Sequence, residues 1–377
     1  MTKVYYKSLL STLNLLPYIC LSFSFAQQTS AFEDGTPLTL KLEYANNQVK
    51  KSTDKENAVY TDIIYGINGI WDTIPVLLRA RGNFRRANCY FPPLKIYLKK
   101  SLVEGSLFQG HKQLKLVLPC LLQNRSNDDI VKEYLAYKIY EQLSEIHFKT
   151  RLVSIEYIDN RDKKLELHPL TAFLPQKKLE ELHNYEGEEA FAFRKPKTYK
   201  LMSILIEDDK VVAKRNNAKL MKRFVHPLNQ GEMASITNSF FQFMIGNTDF
   251  STAYQHNQKL LFKDLKTIPL PYDFDMSGLV DASYAVVSNV QNNQLDISKV
   301  TERKYRGFKR DPKLFQRARK LFLEKKPAIM QLLDEHQKYF DDKQAFQKAR
   351  DYIQSFYRIL QHDIKFEKTI IKETRVK

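Results

Sequence analysis

Leu38-Thr-Leu-Lys-Leu-Glu-Tyr44 places an apolar side chain at every second position. Successive side chains of a strand point to opposite faces, so this alternation predicts a half-buried β-strand. Reading outward from it, Ile74 to Arg81, Leu94 to Leu98 and Leu114-Lys-Leu-Val-Leu118 predict three more strands. Gly82 to Pro93 joins the first two of these, and the polar residues 45–59 read as a loop. The first third is therefore an antiparallel, β-rich unit. Asn127-Asp128-Asp129 then supplies helix-capping side chains. Val131, Leu135, Ile139 and Leu143 follow at four-residue steps, with Tyr134 and Ile146 widening the stripe, which predicts an amphipathic helix. Arg151 to Ile158 returns to strand, residues 160–200 are polar and irregular with an acidic loop at Glu181 to Glu189, and Leu201 to Glu207 is a short apolar strand.

After this the pattern changes class. Met233, Ile236, Phe240 and Phe243 mark a helix that stops at Gly246. Lys259 to Phe262 and Ile268 to Phe274 read as two strands around the turn Lys263-Asp-Leu-Lys266. From Asp311 onward the period is helical, with Leu314, Ala318, Leu321, Ile329, Leu332 and Leu333 on one set of turns and Phe346, Ala349, Ile353, Phe356 and Leu360 on the next. This order predicts an α+β, two-lobed protein: a β-rich N-terminal lobe over 27–210 and a helical C-terminal lobe over 211–377.

Met1 to Ala26 reads as a signal peptide. Lys3 and Lys7 give a basic start, Leu9 to Phe25 is mostly apolar, and Ser24-Phe25-Ala26 is a small-residue cleavage site. An alternative makes Cys20 an acylated residue. Export to the periplasm or cell envelope is the expectation, with no transmembrane segment once the signal is removed. Cys89 and Cys120 then remain, either as one disulfide or as two buried thiols. The formal net charge is +17 in 377 residues, which suits an acidic partner. The cations gather in Lys195 to Lys200, Lys214 to Arg223 and Arg303 to Arg319. An export signal and the lack of a recognisable binding module argue against nucleic acid.

The chemistry-bearing stretch is Phe240 to Gly278. A helix ends at Gly246 and runs into Asn247-Thr248-Asp249; His256-Asn257 follows; then a hairpin leads to Pro271-Tyr-Asp-Phe-Asp275. Residues two apart on a strand share a face, so Asp273 and Asp275 are expected to point the same way. Two such carboxylates, with an Asn and another Asp nearby, suit a hard cation such as Mg2+ or Mn2+. A cation there bridges phosphate oxygens in a phosphoryl transfer. Other motifs fail: Gly105 to Lys112 has His111 where a phosphate-binding loop needs Lys, and there is no Gly-x-Ser-x-Gly elbow and no His-Glu-x-x-His.

Arg81-Gly-Asn-Phe-Arg85, Leu114-Lys-Leu-Val-Leu118, Lys132-Glu-Tyr-Leu-Ala-Tyr-Lys138, Arg151-Leu-Val, Ile245-Gly-Asn-Thr-Asp249 and Pro271-Tyr-Asp-Phe-Asp275 together resemble the spore-coat protein H (CotH) family of atypical secreted kinases. The resemblance is closest to an exported branch from Bacteroidetes-type bacteria and covers residues 38–310. It implies a two-lobed atypical protein-kinase-like fold with ATP between the lobes. It also implies Asp249 as the catalytic carboxylate, with Asn257 and Asp273 or Asp275 as metal ligands. Lys115 is the implied phosphate lysine, Glu133 its partner, and Arg81 and Arg85 further phosphate contacts. The implied cofactors are ATP and Mg2+ or Mn2+, and the acceptor is a protein or glycan hydroxyl.

The chain departs from the kinase pattern in three places. Asn257 follows Asp249 by eight residues, against about five in kinases. Phe250 stands where a basic residue is usual, and the Gly-rich phosphate loop is missing. Two rivals to the phosphotransferase reading therefore stand: an inactive kinase-like binding or scaffold protein of the envelope, and a basic adaptor acting through charge alone.

Overall fold

The computed structural model describes residues 1, 30–32, 35–67, 69–122, 126–160, 196–288 and 295–376. The expected signal peptide with Cys20, and the acidic loop Glu181 to Glu189, lie outside the described residues.

The first part closes on itself. Seven strands form a barrel in the order β1-β2-β3-β4-β5-β7-β6, with β6 returning to β1. They are β1 Leu38–Tyr44, β2 Val59–Ile67, β3 Ile70–Ala80, β4 Leu94–Tyr97, β5 Gln113–Val117, β6 Thr150–Asp159 and β7 Lys197–Ile206. This corrects the expectation of an α+β, two-lobed kinase-like fold with a β-rich N-terminal lobe: the chain is a mixed α/β protein built on a closed barrel. Two features hidden in the sequence make the difference. Strand β2 begins within what reads as polar loop and pairs with both β1 and β3. Strand β1 then pairs with β6 in parallel, Leu38 opposite Val153 through Tyr44 opposite Asp159, which joins the two ends of the sheet. Closure leaves no unpaired sheet edge.

The alternation seen at Leu38 to Tyr44 runs around the whole barrel. Leu38, Leu40, Leu42, Ile74, Val76, Leu78, Leu94, Ile96, Leu114, Leu116, Val153 and Ile155 fill the interior. Val117, Leu152, Ile204 and Ile206 face outward on β5, β6 and β7 and join a second core. That core holds the long helix Ser126–Leu143, here α4, after the short α1 Asn46–Lys51, α2 Phe84–Asn88 and α3 Lys100–Val103.

Helix α4 departs from the amphipathic expectation. Even Asp128, Asp129, Lys132 and Glu133 are buried. The reason is its position between the barrel wall and the helical part of the chain. The polar stripe that sequence assigns to solvent instead makes internal ion pairs.

The second part has α5 Asp209–Arg215, α6 Glu232–Met244, a small sheet of β8 Lys219–Met221, β9 Gln258–Lys263 and β10 Lys266–Pro271, and the long helices α7 Pro312–His336 and α8 Lys343–Leu360. Phe243 and Phe322 each pack edge to face on Phe356 in its core, and Phe240 lies tilted against Phe322. Asp264 and Leu265 both have positive φ, the geometry that closes a tight two-residue hairpin between β9 and β10. Among the described residues, no helix is long and apolar enough to cross a membrane.

Candidate functional site

Asp249 sits just past the end of α6. The helix stops because Gly246 takes φ +63°, a left-handed conformation that glycine adopts without a Cβ penalty. Asn247 then turns the chain: its side chain oxygen accepts from the Asp249 N–H at 2.9 Å and its amide donates to Gln242 at 2.9 Å. Arg303 and Arg306 hold this corner from below. Arg303 donates to the carbonyl of Met244 at 3.1 Å, and Arg306 donates to the carbonyls of Thr248 and Phe250. The basic run at Arg303 is therefore turned inward here, satisfying helix-end and loop carbonyls.

The Asp249 carboxylate receives three side chain donors. Ser288 Oγ lies 2.8 Å and His256 Nε2 3.1 Å from Oδ1, and Asn257 Nδ2 lies 2.9 Å from Oδ2. Burial alone would raise its pKa, but these hydrogen bonds hold it below the usual carboxylate range. His256 is raised in turn, first by its hydrogen bond to Asp249 and then by the charges of Asp249 and Asp273. Asn257 also donates to the Asp249 carbonyl at 2.8 Å, so its amide nitrogen is committed and its oxygen is the end left for a cation.

Asp273 and Asp275 meet this cluster, though not by strand alternation. Strand β10 ends at Pro271, and Asp273 has φ +64°. Its N–H donates to the Tyr137 hydroxyl of α4 at 2.9 Å. A non-glycine residue in this conformation is a strained feature of the kind that gathers at functional sites. The charge of Asp273 is felt at His256 and Asp275, and that of Asp249 at Asp275, so the acidic groups share one locality.

Asp275 is nevertheless committed elsewhere. It is buried, accepts from the Tyr284 hydroxyl at 3.2 Å and lies 3.8 Å from Arg85 Nε. Burial, followed by Asp273, pushes its pKa up to about 6 against the pull of Arg85. Arg85 also faces Glu133 at 3.5 Å and donates to the Leu118 carbonyl at 2.9 Å. Arg85 is thus turned into the protein, and the expected Lys115–Glu133 pair is replaced by Arg85–Glu133. A disulfide between Cys89 and Cys120, with Cα atoms 4.5 Å apart, anchors the short helix α2 that carries Arg85.

Lys115 pairs with Asp209 at 3.5 Å and lies over the rings of Phe148 at 4.6 Å and Tyr272 at 5.7 Å. Burial, with Arg81 and Lys259 adding, lowers it to about 8. Lys259 lies over the same Tyr272 ring at 5.4 Å. Arg81 acts on Lys115, Tyr272 and Tyr137, which links this cationic group to Asp273 through its neighbours in sequence and hydrogen bonding.

The structure therefore joins Asn257 to Asp249, sets Asp273 where its charge acts on His256, packs Lys115 against Tyr272, the residue before Asp273, and withdraws Arg85, Glu133 and Asp275 into a buried network. Sequence reasoning did not assign Ser288 or Tyr284, which lie in a stretch with no periodicity, nor Asp209, whose run after β7 reads as a strand end. No protein-family model matches the chain, and no curated protein matches it.

Proposed function

We propose that the protein is an exported phosphotransferase that uses a nucleotide and a divalent cation where Asp249, Asn257 and Asp273 meet. The observation that carries this reading is Asp249 itself: an ionised carboxylate fixed by three donors, whose charge acts on a second carboxylate, Asp275. The Gly-Asn-Thr-Asp249 and Tyr-Asp-Phe-Asp275 motifs, similar to those of spore-coat protein H kinases, support it; a kinase-like architecture does not enter. The Cys89–Cys120 disulfide supports the exported part.

The residues present fit a hard cation in one particular way. Among the described residues, no three Asp, Glu, His or Cys side chains form a group that would hold a metal alone. Mg2+ is commonly held by one or two carboxylates together with substrate phosphates and water. Asp273 and the Asn257 oxygen supply such a partial set, whereas Asp275 is taken by Arg85 and Tyr284. A bound cation would offset charge on the phosphates. Asp249 orients the acceptor hydroxyl and takes up its proton. His256 and Ser288 hold the Asp249 carboxylate in place, and Arg81 and Lys115 favour anionic substrate beside it.

The test is thermal unfolding of the purified protein with ATP, with and without Mg2+ or Mn2+, followed by a phosphate-transfer assay on protein and glycan acceptors. The expected result is a metal-dependent stabilisation lost in Asp273→Ala, and transfer lost in Asp249→Ala. Absence of any nucleotide- or metal-dependent shift overturns the proposal. The capture of Asp275 by Arg85 favours a second reading, an envelope protein that binds phosphate ligands without transfer; it predicts the shift and no transfer.

A further inference from the structure

We propose that the outer wall of the barrel carries an oligophosphate-binding track, made by a cross-strand row of cations, Arg79, Lys95 and Lys115. In the ladder, Arg79 of β3 lies opposite Lys95 of β4, and Lys95 lies opposite Lys115 of β5. All three occupy outward positions, because their neighbours Leu78, Ala80, Leu94, Ile96, Leu114 and Leu116 fill the barrel interior.

Like charges directly opposite one another destabilise a sheet. The strands cannot escape by slipping, since a one-residue shift would turn the interior side chains out to water. Adjacent strands lie about 4.8 Å apart, so the row spans about 10 Å. The side chains are also not free to spread into solvent. Arg79 Nε donates to the Tyr97 hydroxyl at 2.8 Å, Lys95 lies over the same Tyr97 ring at 5.4 Å, and Lys115 is buried against Phe148 and Tyr272. Arg81 and Lys259 add to the positive field at one end. Against them stand Asp208 and Asp209. Asp209 faces Lys115, and Asp208 is engaged by the Gln113 amide at 2.6 Å and by the Lys210 N–H at the start of α5.

A fixed row of cations with surplus charge suits an anion that offers several phosphoryl groups in line. Its Lys115 end lies against Tyr272, next to Asp273, so a chain bound along it runs toward the carboxylates. Naming that anion as the triphosphate of a nucleotide rests on the phosphotransfer reading above; the track itself does not.

The experiment is isothermal titration of the full protein with inorganic tripolyphosphate, without metal, at fixed ionic strength, for wild type, Lys95→Gln, Lys95→Glu and, as a charge-matched control at an exposed lysine of α7, Lys320→Gln. Binding is expected to weaken about tenfold in Lys95→Gln and further in Lys95→Glu, and to stay at the wild-type level in Lys320→Gln. The unliganded Lys95→Gln protein is expected to unfold at or above the wild-type temperature, because repulsion is relieved. Unchanged tripolyphosphate affinity in Lys95→Glu, no binding to wild type, or equal competition by sulfate overturns the track. So does a lower unfolding temperature for Lys95→Gln, which would mark Lys95 as a structural residue. Loss of the track leaves the metal-dependent ATP shift free to succeed or fail independently.

Discussion

Arg85 and Glu133 face each other at 3.5 Å inside the protein, with side chains only 6% and 1% exposed. A third charge, Asp275, shares the same guanidinium at 3.8 Å. One cation therefore serves two buried carboxylates, and it comes from a five-residue helix tied down by the Cys89–Cys120 disulfide. Removing Arg85 leaves the Asp275 charge and the buried Glu133 carboxyl group without their shared partner. Arg85→Met is predicted to cost about 3–5 kcal/mol, seen as a drop in the urea midpoint at constant slope. Adding Glu133→Leu to Arg85→Met should recover part of that loss. A double variant no more stable than the single one would show that the pairing is not the cause.

The same cluster sets a pH dependence. Burial is the main reason that Glu133 is raised to about 8, with Asp275 and Asp273 adding and Arg85 opposing. A carboxyl group whose folded pKa lies above its unfolded value of about 4.3 favours the folded state when protonated. Its contribution is complete below that unfolded value and is lost as pH rises through about 8. Glu133→Gln keeps a neutral group there at every pH. Wild type is thus predicted to lose stability relative to Glu133→Gln as pH rises from about 4.3. Chemical unfolding of both proteins at intervals from acid to mildly alkaline pH checks this, and a difference that does not vary with pH would refute it.

Two glycines meet at the corner that presents Asp249. The N–H of Gly278 donates to the carbonyl of Gly246 at 3.1 Å. A Cβ on Gly246 would strike the Tyr352 hydroxyl, the end of one side chain; a Cβ on Gly278 would also come within 2.5 Å of the Val300 carbonyl, which is backbone. Both alanine variants are predicted to unfold earlier, by at least about 1 kcal/mol at Gly246, where φ is also positive. Tyr352→Phe, which removes the offending hydroxyl, should partly rescue Gly246→Ala and give little relief to Gly278→Ala. Equal rescue of both, measured by thermal unfolding, would contradict this packing.

The alternation at Leu38 to Tyr44 and the helical period from Asp311 were legible because each element buries one regular face. Barrel closure was not, because it depends on a parallel pairing between β1 and β6, more than a hundred residues apart in sequence. Helix α4 hid its environment for a related reason: Glu133 and Lys132 look like a solvent face until barrel and helices enclose them. At the site, the order of residues put Asn257 with Asp249, and the two do meet through a side-chain hydrogen bond. The roles of Arg85 and Asp275 were not, since nothing local in Arg81 to Arg85 says that its last guanidinium turns inward. The strand expected to align Asp273 with Asp275 ends at Pro271, and a left-handed Asp273 takes its place.

Three side chains donate to the Asp249 carboxylate. Ser288 Oγ donates to Oδ1 at 2.8 Å, sharing that oxygen with His256. Ser288 stands well outside the Asp249 to Asp275 segment and has no part in the motif, so its effect isolates this one hydrogen bond. Burial pushes Asp249 up and the three donors pull it down, with the net shift downward. Ser288→Ala removes one donor while His256 and Asn257 remain. The Asp249 pKa is therefore predicted to rise, moving the acid limb of the pH–rate profile of the proposed phosphate transfer to higher pH. His256→Gln should move it the same way, because it replaces a chargeable partner with a neutral one. Stability gives a second readout: a depressed carboxylate stabilises the fold above its unfolded pKa and loses that contribution as pH falls through its folded value. Ser288→Ala should accordingly cost more stability at neutral pH than in strong acid. A variant whose acid limb and acid unfolding both match wild type would show that Ser288 does not act on Asp249.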